Sequence, residues 1–445
     1  MQPQVAVGII SAKEVSFTLA GIYSTPDVTV VTGRHTVRVS DSGIALVWEG
    51  RTYTSISFTP SSKESDSFNL ESVTIGLDFH WQRKENQQFR GELSFIVADG
   101  KVVVVNRVDV KEYLTSVISS EMSSSSPLQM LRAHAVISRS WLLAQMEHRS
   151  GNSQRAAMTT EANGVGASRI VRWWDHEDHD LFDVCADDHC QRYQGLTRVN
   201  EAAAAAVNDT RGLVITTDGH KLCDARFSKC CGGMMEVFSS CWADEDYPYL
   251  QGRRDNLISE STPNLTDEHN AGQWIHSRPE AFCSEVSEDI LSKVLNGYDR
   301  ELGSDYYRWK VTLSQEEICR LLKDRAGIDV GKVIDLIATR RGTSGRIVML
   351  RIVGSDGTVE IGKELMIRRA LSPSHLLSSA FTVERHYDTE TSQREVPAGF
   401  TLHGAGWGHG VGLCQIGAAV MAERGYDYRS ILAHYYPTSR LTQAY

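Results

Sequence analysis

Apolar and polar positions alternate in short runs through the first 108 residues of the chain. Residues 15–19 and 91–96 are typical of these runs, and Gly, Asp and Ser turns separate several of them. A period of two places successive side chains on opposite faces of a strand. Asp99-Gly100 lies between two such runs and is a favoured two-residue hairpin turn. The pattern therefore predicts a β-rich N-terminal region.

The apolar period changes to 3.6 residues after residue 108, which predicts a pair of helices. Asp109 is a candidate N-cap for a short first helix, and Ser126 for a longer second one. Pro127 suits the first helical position, and Gln129 completes a capping box. Glu121 is expected in the bend between the two helices, on a loop that a rigid frame holds. Catalytic acids are often placed in this way.

Helical patterns over residues 279–296 and 315–325 mix with strand-like patterns between residues 255 and 395, and residues 399–417 are rich in glycine with little regular pattern. We therefore predict an α+β fold. It consists of a β-rich N-terminal region (1–90), a mixed core around the helical pair (91–254), an inserted α+β subdomain (255–395), and a glycine-rich C-terminal part of the core (396–445).

Composition and charge exclude some classes of function. The chain has 445 residues, 41% hydrophobic and 23% charged, which is ordinary for a globular protein. A net charge of -10 without Lys/Arg runs argues against a nucleic-acid partner. The chain lacks an uninterrupted apolar stretch of about 18 residues, so we expect no transmembrane segment. The N-terminus has no basic region followed by an apolar core, so we predict no signal peptide.

A cluster of soft ligands lies between residues 179 and 190. His179, Cys185 and Cys190 fall within twelve residues, with His176 and His189 nearby. Three nitrogen and sulfur ligands at this spacing could hold zinc and leave a fourth position for water or another side chain. A disulfide bridge between the two cysteines, or free thiols in a His-rich loop, would explain the same pattern.

Two further stretches could line a binding site. Glycines interleave with Trp407, His409 and Gln415 in the C-terminal region, and such a loop could supply a stacking face and hydrogen bonds for a sugar. It could equally be a loop packed against the core. The turn at residues 228–236 contains Ser228 and Cys231, either of which could be a nucleophile, although a tight turn lining a site fits better.

Four blocks of this sequence, in order, resemble the SpoIID/LytB family of peptidoglycan-acting proteins, which includes stage II sporulation protein D and the amidase enhancers. The blocks are residues 106–122, which end in Ser-Ser-Glu-Met, residues 131–140, residues 228–236, and residues 406–418, which begin Gly-Trp-Gly-His-Gly. The resemblance extends from about residue 90 to the C-terminus. Departures from the family pattern are Lys111 for an acid, His134 for Gln, Met235 for Thr and Cys414 for Ser.

The resemblance implies a lytic transglycosylase that acts on glycan strands stripped of their stem peptides, in the cell envelope or periplasm or outside the cell. Because the sequence shows no signal peptide, a cytoplasmic location stays open as an alternative. Residues 91–254 and 396–445 would then form its catalytic core. The catalytic residue carried over is Glu121. Some members bind zinc through one His and two Cys, which fall here on His179, Cys185 and Cys190, and we expect this zinc to be structural. The expected substrate-binding residues are Arg139, Ser228, Gly233, Trp407, His409, Gly410 and Gln415.

One carboxylate is enough for this chemistry. Ordinary glycosidases use two carboxylates, because an external nucleophile or water must be activated. In a lytic transglycosylase the C6 hydroxyl of N-acetylmuramic acid attacks its own anomeric carbon, so the nucleophile is already tethered. Two alternatives remain: a catalytically silent glycan-binding partner that stimulates a cell-wall amidase, and a zinc-dependent hydrolase.

Overall fold

The computed structural model describes residues 2–77, 81–150, 159–162, 167–172, 179–217, 220–257, 262–284, 286–300, 305–388 and 395–445. These residues form two compact units. The first unit comprises residues 1–152, 178–215 and 441–445, and the second comprises residues 153–177 and 216–440. Among the described helices, none is both long and apolar enough to cross a membrane.

The first unit contains the predicted β-rich region. Its sheet, counted over the described residues, has eleven strands, and most follow the order β13-β1-β10-β9-β6-β2-β3-β4-β5, with β7 joining β2 to β8. The strands are β1 (Gln4–Ala12), β2 (Glu14–Ser24), β3 (Val30–Val39), β4 (Leu46–Trp48), β5 (Arg51–Tyr53), β6 (Ser55–Pro60), β7 (Ser67–Ile75), β8 (Arg83–Phe89), β9 (Glu92–Ala98), β10 (Lys101–Asp109) and β13 (Val184–Cys185).

The alternating pattern explains the core of this sheet. Phe17, Phe58 and Phe95 are fully buried, and the ring of Phe17 lies 5.0 Å from that of Phe95. Asp99 and Gly100 both have positive φ and connect β9 to β10, as the hairpin motif predicts. Strand β1 pairs with β10 along almost its full length. Residues on either side of position 90 therefore share one sheet, and the predicted boundary there does not coincide with a boundary of the compact unit.

The helical pair follows directly on β10. The helices and the two remaining strands of this part are α1 (Val110–Glu121), α2 (Leu128–Ser150), α3 (Glu201–Asp209), β14 (Leu213–Thr216) and β23 (Arg440–Gln443). Asp109 takes the N-cap position of α1, but its side chain makes no capping hydrogen bond. The first described hydrogen bond of α2 runs from the Leu131 amide to the Pro127 carbonyl (3.1 Å), in agreement with the predicted start.

The second unit is a mixture of small sheets and short helices. Its sheets have the orders β11-β12-β19-β18-β17, β16-β21-β20 and β15-β22. The strands are β11 (Thr159–Ala162), β12 (Ala167–Val171), β15 (Phe227–Ser228), β16 (Arg308–Ser314), β17 (Val333–Arg341), β18 (Ile347–Gly354), β19 (Thr358–Gly362), β20 (Phe381–His386), β21 (Gly399–Ala405) and β22 (Leu413–Cys414). The helices are α4 (Glu268–His276), α5 (Glu288–Val294), α6 (Gly297–Arg300), α7 (Gln315–Ala326), α8 (Glu364–Ala370), α9 (Gln415–Glu423) and α10 (Tyr428–Tyr435).

Two local predictions differ from this structure. The glycine-rich stretch was expected to carry little regular structure, but β21 pairs with both β16 and β20. A glycine is needed there because a Cβ on Gly404 would lie 2.1 Å from the Trp309 ring. A longer helix was predicted over residues 279–296, but among the described residues of this range only α5 is helical. The Ser287 side chain caps α5, which starts at Glu288.

Candidate functional site

Glu121 is the last residue of α1 and not part of a loop, which corrects the sequence-based expectation. Helix α1 continues until Met122, whose amide donates to the Ile118 carbonyl at 3.1 Å. The Glu121 side chain is 6% exposed, and its Oε1 accepts a hydrogen bond from the Arg192 amide at 3.3 Å. The carboxylate is thus desolvated and held by a main-chain donor, so it is fixed in position more firmly than a loop would allow.

A second buried carboxyl lies near Glu121, and sequence reasoning did not identify it. The Arg192 side chain binds Asp188 (Nε to Oδ1, 2.6 Å) while its backbone binds Glu121. Burial, together with the charges of Asp187 and Glu121, raises the pKa of Asp188 to about 7, against the lowering effect of Arg192. The available signal was the position of Asp188 between Cys185 and Cys190.

The predicted zinc ligands come together in the first unit, and a fourth joins them. Ligand atoms of His179, Cys185, His189 and Cys190 all lie within 4.8 Å of one another. The Cys190 Sγ is 3.2 Å from His179 Nε2 and 3.5 Å from His189 Nδ1. Zinc bonds of about 2.0–2.3 Å in a tetrahedron place neighbouring ligands at such separations. This donor set therefore fits zinc. His176 lies outside the described residues.

Two features of the structure favour metal binding by Cys185. Strand β13 pairs with β1 through Cys185 and Gly8, which fixes the Cys185 backbone. Contact with the Cys190 thiol lowers the pKa of the Cys185 thiol to about 2, against burial and with help from His179 and His189. The thiolate is the form of cysteine that binds metals.

Arg139 has a bracing position within the first unit. It lies on α2, is 1% exposed, and donates to the carbonyls of Leu213 (2.9 Å) and Val207 (3.4 Å). Burial lowers the pKa of its guanidinium. Because Arg139 is buried, a contact with a sugar would require the residues that cover it to move.

The remaining predicted substrate-binding residues belong to the second unit. Strand β15 pairs with β22, which sets Ser228 beside Cys414. The Ser228 hydroxyl is buried and has no hydrogen-bond partner among the described residues. The Trp407 ring is stacked on Tyr306, with ring centroids 4.9 Å apart, and is 9% exposed. Gln415 begins α9 and is 1% exposed.

Gly410, in the glycine-rich stretch at residues 399–417, and Gly233, in the turn at residues 230–233, permit close packing against polar side chains. A Cβ on Gly410 would lie 2.5 Å from the guanidinium carbon of Arg346, and one on Gly233 would lie 2.4 Å from the Tyr307 hydroxyl. Both glycines have positive φ. Burial, together with the charges of Arg226, Arg346 and Arg368, lowers the pKa of His409 well below its usual range. His409 therefore presents a neutral ring, and its Nδ1 accepts the Val411 amide at 3.0 Å.

Arg346 and Glu236 are buried residues that hold the glycine-rich stretch at residues 399–417 in place, through hydrogen bonds to Gly408 and Gly410. Arg346 donates to the carbonyls of Gly408 (3.1 Å) and Cys231 (3.2 Å), which links the loop to the turn at residues 230–233. Glu236 is fully buried and accepts the amides of Thr343 (2.9 Å) and Ser344 (3.1 Å). Sequence reasoning did not assign these two residues a role, because their partners lie about 60 to 110 residues away.

A second group of potential metal ligands, not foreseen from the sequence, lies in this unit. Cys231, Asp255, Cys283 and Cys414 are buried, and their ligand atoms all lie within 4.8 Å of one another. The replacement of the family's Ser by Cys414 was the one available signal. Within the described residues there are thus two groups of side chains that could bind a metal, one in each unit.

Comparison with known proteins agrees with this division of features. A family model described as stage II sporulation protein matches residues 98–217. These residues include Glu121 and the four side chains His179, Cys185, His189 and Cys190, which we call the His179 group. Residues 98–217 are thus similar to the SpoIID/LytB family. A second model, described as a domain of unknown function, matches residues 236–412.

Three relatives share long stretches with this chain. An uncharacterized protein of Brachyspira hyodysenteriae is 25% identical over 349 residues, 78% of this chain and 71% of the relative. The amidase enhancer of Bacillus subtilis is 25% identical over 55% of this chain and 33% of its own length. Stage II sporulation protein D of Bacillus amyloliquefaciens is 22% identical over 76% of each chain. The match thus covers only a third of the amidase enhancer.

Proposed function

We propose that this chain is a lytic transglycosylase that cleaves peptide-free glycan strands between N-acetylmuramic acid and N-acetylglucosamine. Similarity to the SpoIID/LytB family, with relatives named amidase enhancer and stage II sporulation protein D, indicates a function related to the cell wall. The glycan substrate places its action in the cell envelope.

The observation that carries the proposal is the state of Glu121. Its carboxylate is 6% exposed and is held by the Arg192 amide. A fixed and desolvated carboxyl suits general acid–base catalysis, because geometry and environment both favour proton transfer to a bound substrate. Sequence position alone would not distinguish Glu121 from a solvated glutamate.

The proposed reaction balances without added water. Glu121 protonates the glycosidic oxygen, and the bond between that oxygen and the anomeric carbon of N-acetylmuramic acid breaks. The C6 hydroxyl oxygen of the same sugar bonds to the anomeric carbon and closes the 1,6-anhydro ring. The hydroxyl proton passes to Glu121, which restores the carboxylic acid for another cycle.

The His179 group fits a structural role for zinc better than a hydrolytic one. His179, Cys185, His189 and Cys190 offer four donor atoms in mutual reach. Four protein ligands close a tetrahedral site, whereas a catalytic zinc keeps one position for water. Zinc bound there would brace the segment that carries Arg192, the partner of Glu121.

A second candidate function is that of a catalytically silent glycan-binding partner of a cell-wall amidase. The relative named amidase enhancer favours it, and under this alternative the buried Glu121 would be a structural carboxylate.

Digestion of peptide-free glycan strands, followed by mass analysis, separates the two candidates. We expect anhydro-ended products from the wild type and their loss in Glu121→Gln. Glu112→Gln is the matched control, since Glu112 lies on the same helix in a partly exposed ion pair with Arg90 at 3.4 Å. Glycan binding without turnover in the wild type would support the partner role. Unchanged turnover in Glu121→Gln would refute the catalytic assignment.

A further inference from the structure

The buried cysteine group of the second unit brings together distant parts of the sequence. Cys231 lies in a tight turn, Asp255 and Cys283 lie in loops, and Cys414 precedes α9. The Sγ of Cys231 is 3.5 Å from the Sγ of Cys283 and 3.4 Å from Oδ2 of Asp255. All four side chains are at most 3% exposed. Convergence of this kind is unusual for unrelated buried thiols, which normally pack as separate small hydrophobes.

The spacing of these atoms fits a single tetrahedral ion. Zinc–sulfur bonds of about 2.3 Å place two thiolates about 3.8 Å apart in a tetrahedron. The observed 3.5 Å between Cys231 and Cys283 is close to this value, and far longer than a disulfide bond of about 2.0 Å. A polynuclear iron–sulfur cluster would need its thiolates further apart, since several metal and sulfide ions would lie between them.

Main-chain donors support a thiolate at Cys414. Cys414 is the N-cap of α9, and its Sγ accepts the Gly417 amide at 3.4 Å. The Cys231 amide donates to the same sulfur at 3.3 Å. Amide donors and a helix N-terminus both stabilise negative charge on sulfur, and the thiolate is the form that binds metal.

Asp255 is held as metal-binding carboxylates usually are. Its Oδ1 accepts the Tyr435 hydroxyl at 2.8 Å and lies 3.3 Å from His434 Nε2, so that Oδ2 faces Cys231. A Cβ on Gly417 would lie 2.6 Å from that Oδ2, so only glycine allows this approach. Outer partners of this kind orient ligands in metal sites. A buried carboxylate among thiols is costly unless a cation compensates it.

We propose that Cys231, Cys283, Cys414 and Asp255 bind one structural zinc ion, which is distinct from the His179 group and independent of the proposed function. Three sulfur ligands select zinc over magnesium or calcium. The ion would join the turn at residues 230–233, two loops and the start of α9. The Cys230 thiol also contacts the thiols of Cys283 and Cys414. We assign Asp255 as the fourth ligand because its oxygen lies within mutual reach of all three sulfurs.

Metal analysis in a background that lacks the other group tests this proposal. The Cys185→Ser/Cys190→Ser double variant, equilibrated with ZnCl2 and desalted, should retain one zinc per chain. Adding Cys283→Ser should remove it, whereas adding Cys223→Ser, which replaces a thiol buried elsewhere, should not. A double variant that folds and holds no zinc would refute the proposal.

Two measurements keep the test decisive if a cysteine variant fails to fold. Wild-type protein loaded with Co²⁺ should take up two ions per chain. Tyr435→Phe should lower the affinity for one of the two metal ions about 10-fold by chelator competition, and leave the other unchanged. Thiol counting on wild type denatured with chelator should find all nine cysteines reactive. Two fewer, with the missing thiols mapped by peptide analysis to Cys231, Cys283 or Cys414, would indicate a disulfide bond there and contradict the metal site. Loss of zinc in Cys230→Ser but not in Asp255→Asn would overturn the choice of Asp255.

Discussion

The two groups of metal-type ligands differ in how the chain assembles them. In the first unit, His179, Cys185, His189 and Cys190 lie within twelve residues of one another. In the second unit, Cys231 and Cys414 are 183 residues apart. A short loop loses little entropy on closure, whereas residues so far apart meet only after the intervening chain has folded.

This difference separates two kinds of site. The local group lies near Glu121 and could gather around an ion before the rest of the unit is complete. The distant group exists only in the folded second unit, so binding there is coupled to folding. The first unit thus carries the residues proposed for chemistry, and the second unit a site whose proposed role is cohesion.

The largest expected effect concerns the chemistry of the first unit. Glu121→Gln should lower glycan cleavage by about 10²–10⁴-fold, the usual contribution of a general acid–base, with little change in circular dichroism or melting temperature. The measurement is the rate of anhydro-product formation beside Glu112→Gln. Equal losses in both variants would show that substitution on α1, and not the chemistry of Glu121, causes the defect.

The next effect tests whether Arg139 is a brace. Arg139→Met leaves two buried carbonyls without their donor, and we expect the free energy of unfolding of the first unit to fall by about 2–4 kcal/mol. The control is Arg132→Met on the same helix, where Arg132 is 25% exposed in a pair with Asp209. An exposed pair contributes about 0–1 kcal/mol. Urea denaturation followed by hydrogen exchange, which resolves the units, measures both. Near-equal losses would contradict the bracing role.

A smaller effect tests the packing around the buried group of Cys231, Asp255, Cys283 and Cys414. Gly417→Ala introduces a Cβ 2.4 Å from the Tyr435 hydroxyl, and overpacking of this kind costs about 1–3 kcal/mol. Gly272→Ala is the matched control, because this helical glycine has only an ordinary neighbour at 3.8 Å. We expect Gly417→Ala to weaken zinc retention in the second unit without affecting the His179 group. Metal content of both variants decides the outcome.

The effect that is smallest near neutral pH is a pH dependence confined to the second unit. Burial and the charges of Arg368, Arg325 and Arg369 lower the pKa of His375 from 6.5 to about 3. Between these two pH values the unfolded chain therefore binds a proton that the folded chain does not bind. The free energy of unfolding decreases as the pH falls from 6.5 towards 3. The slope is at most about 1.4 kcal/mol per pH unit. His375→Gln should flatten this slope in hydrogen exchange of second-unit amides, and an unchanged slope would exclude His375 as its cause.

Much of the fold follows from local patterns. Alternation predicted the β-rich region, and a capping signal predicted the start of α2, because both depend on neighbours a few residues apart. The strand β21 was missed since its glycines are explained by cross-strand neighbours such as Trp309, which no local pattern shows. The end of α1 was placed too early for a similar reason: Glu121 is buried by packing from other elements.

The sequence by itself determined the family resemblance, the candidate Glu121 and the grouping of His179, Cys185 and Cys190, because each depends on residue types at short spacing. Only the tertiary structure decided that Glu121 is buried against Arg192, that His189 joins the first group, and that Cys231, Asp255, Cys283 and Cys414 meet. The physical reason is that contacts between distant residues depend on how strands and helices pack, and the spacing of residues along the chain does not encode that packing.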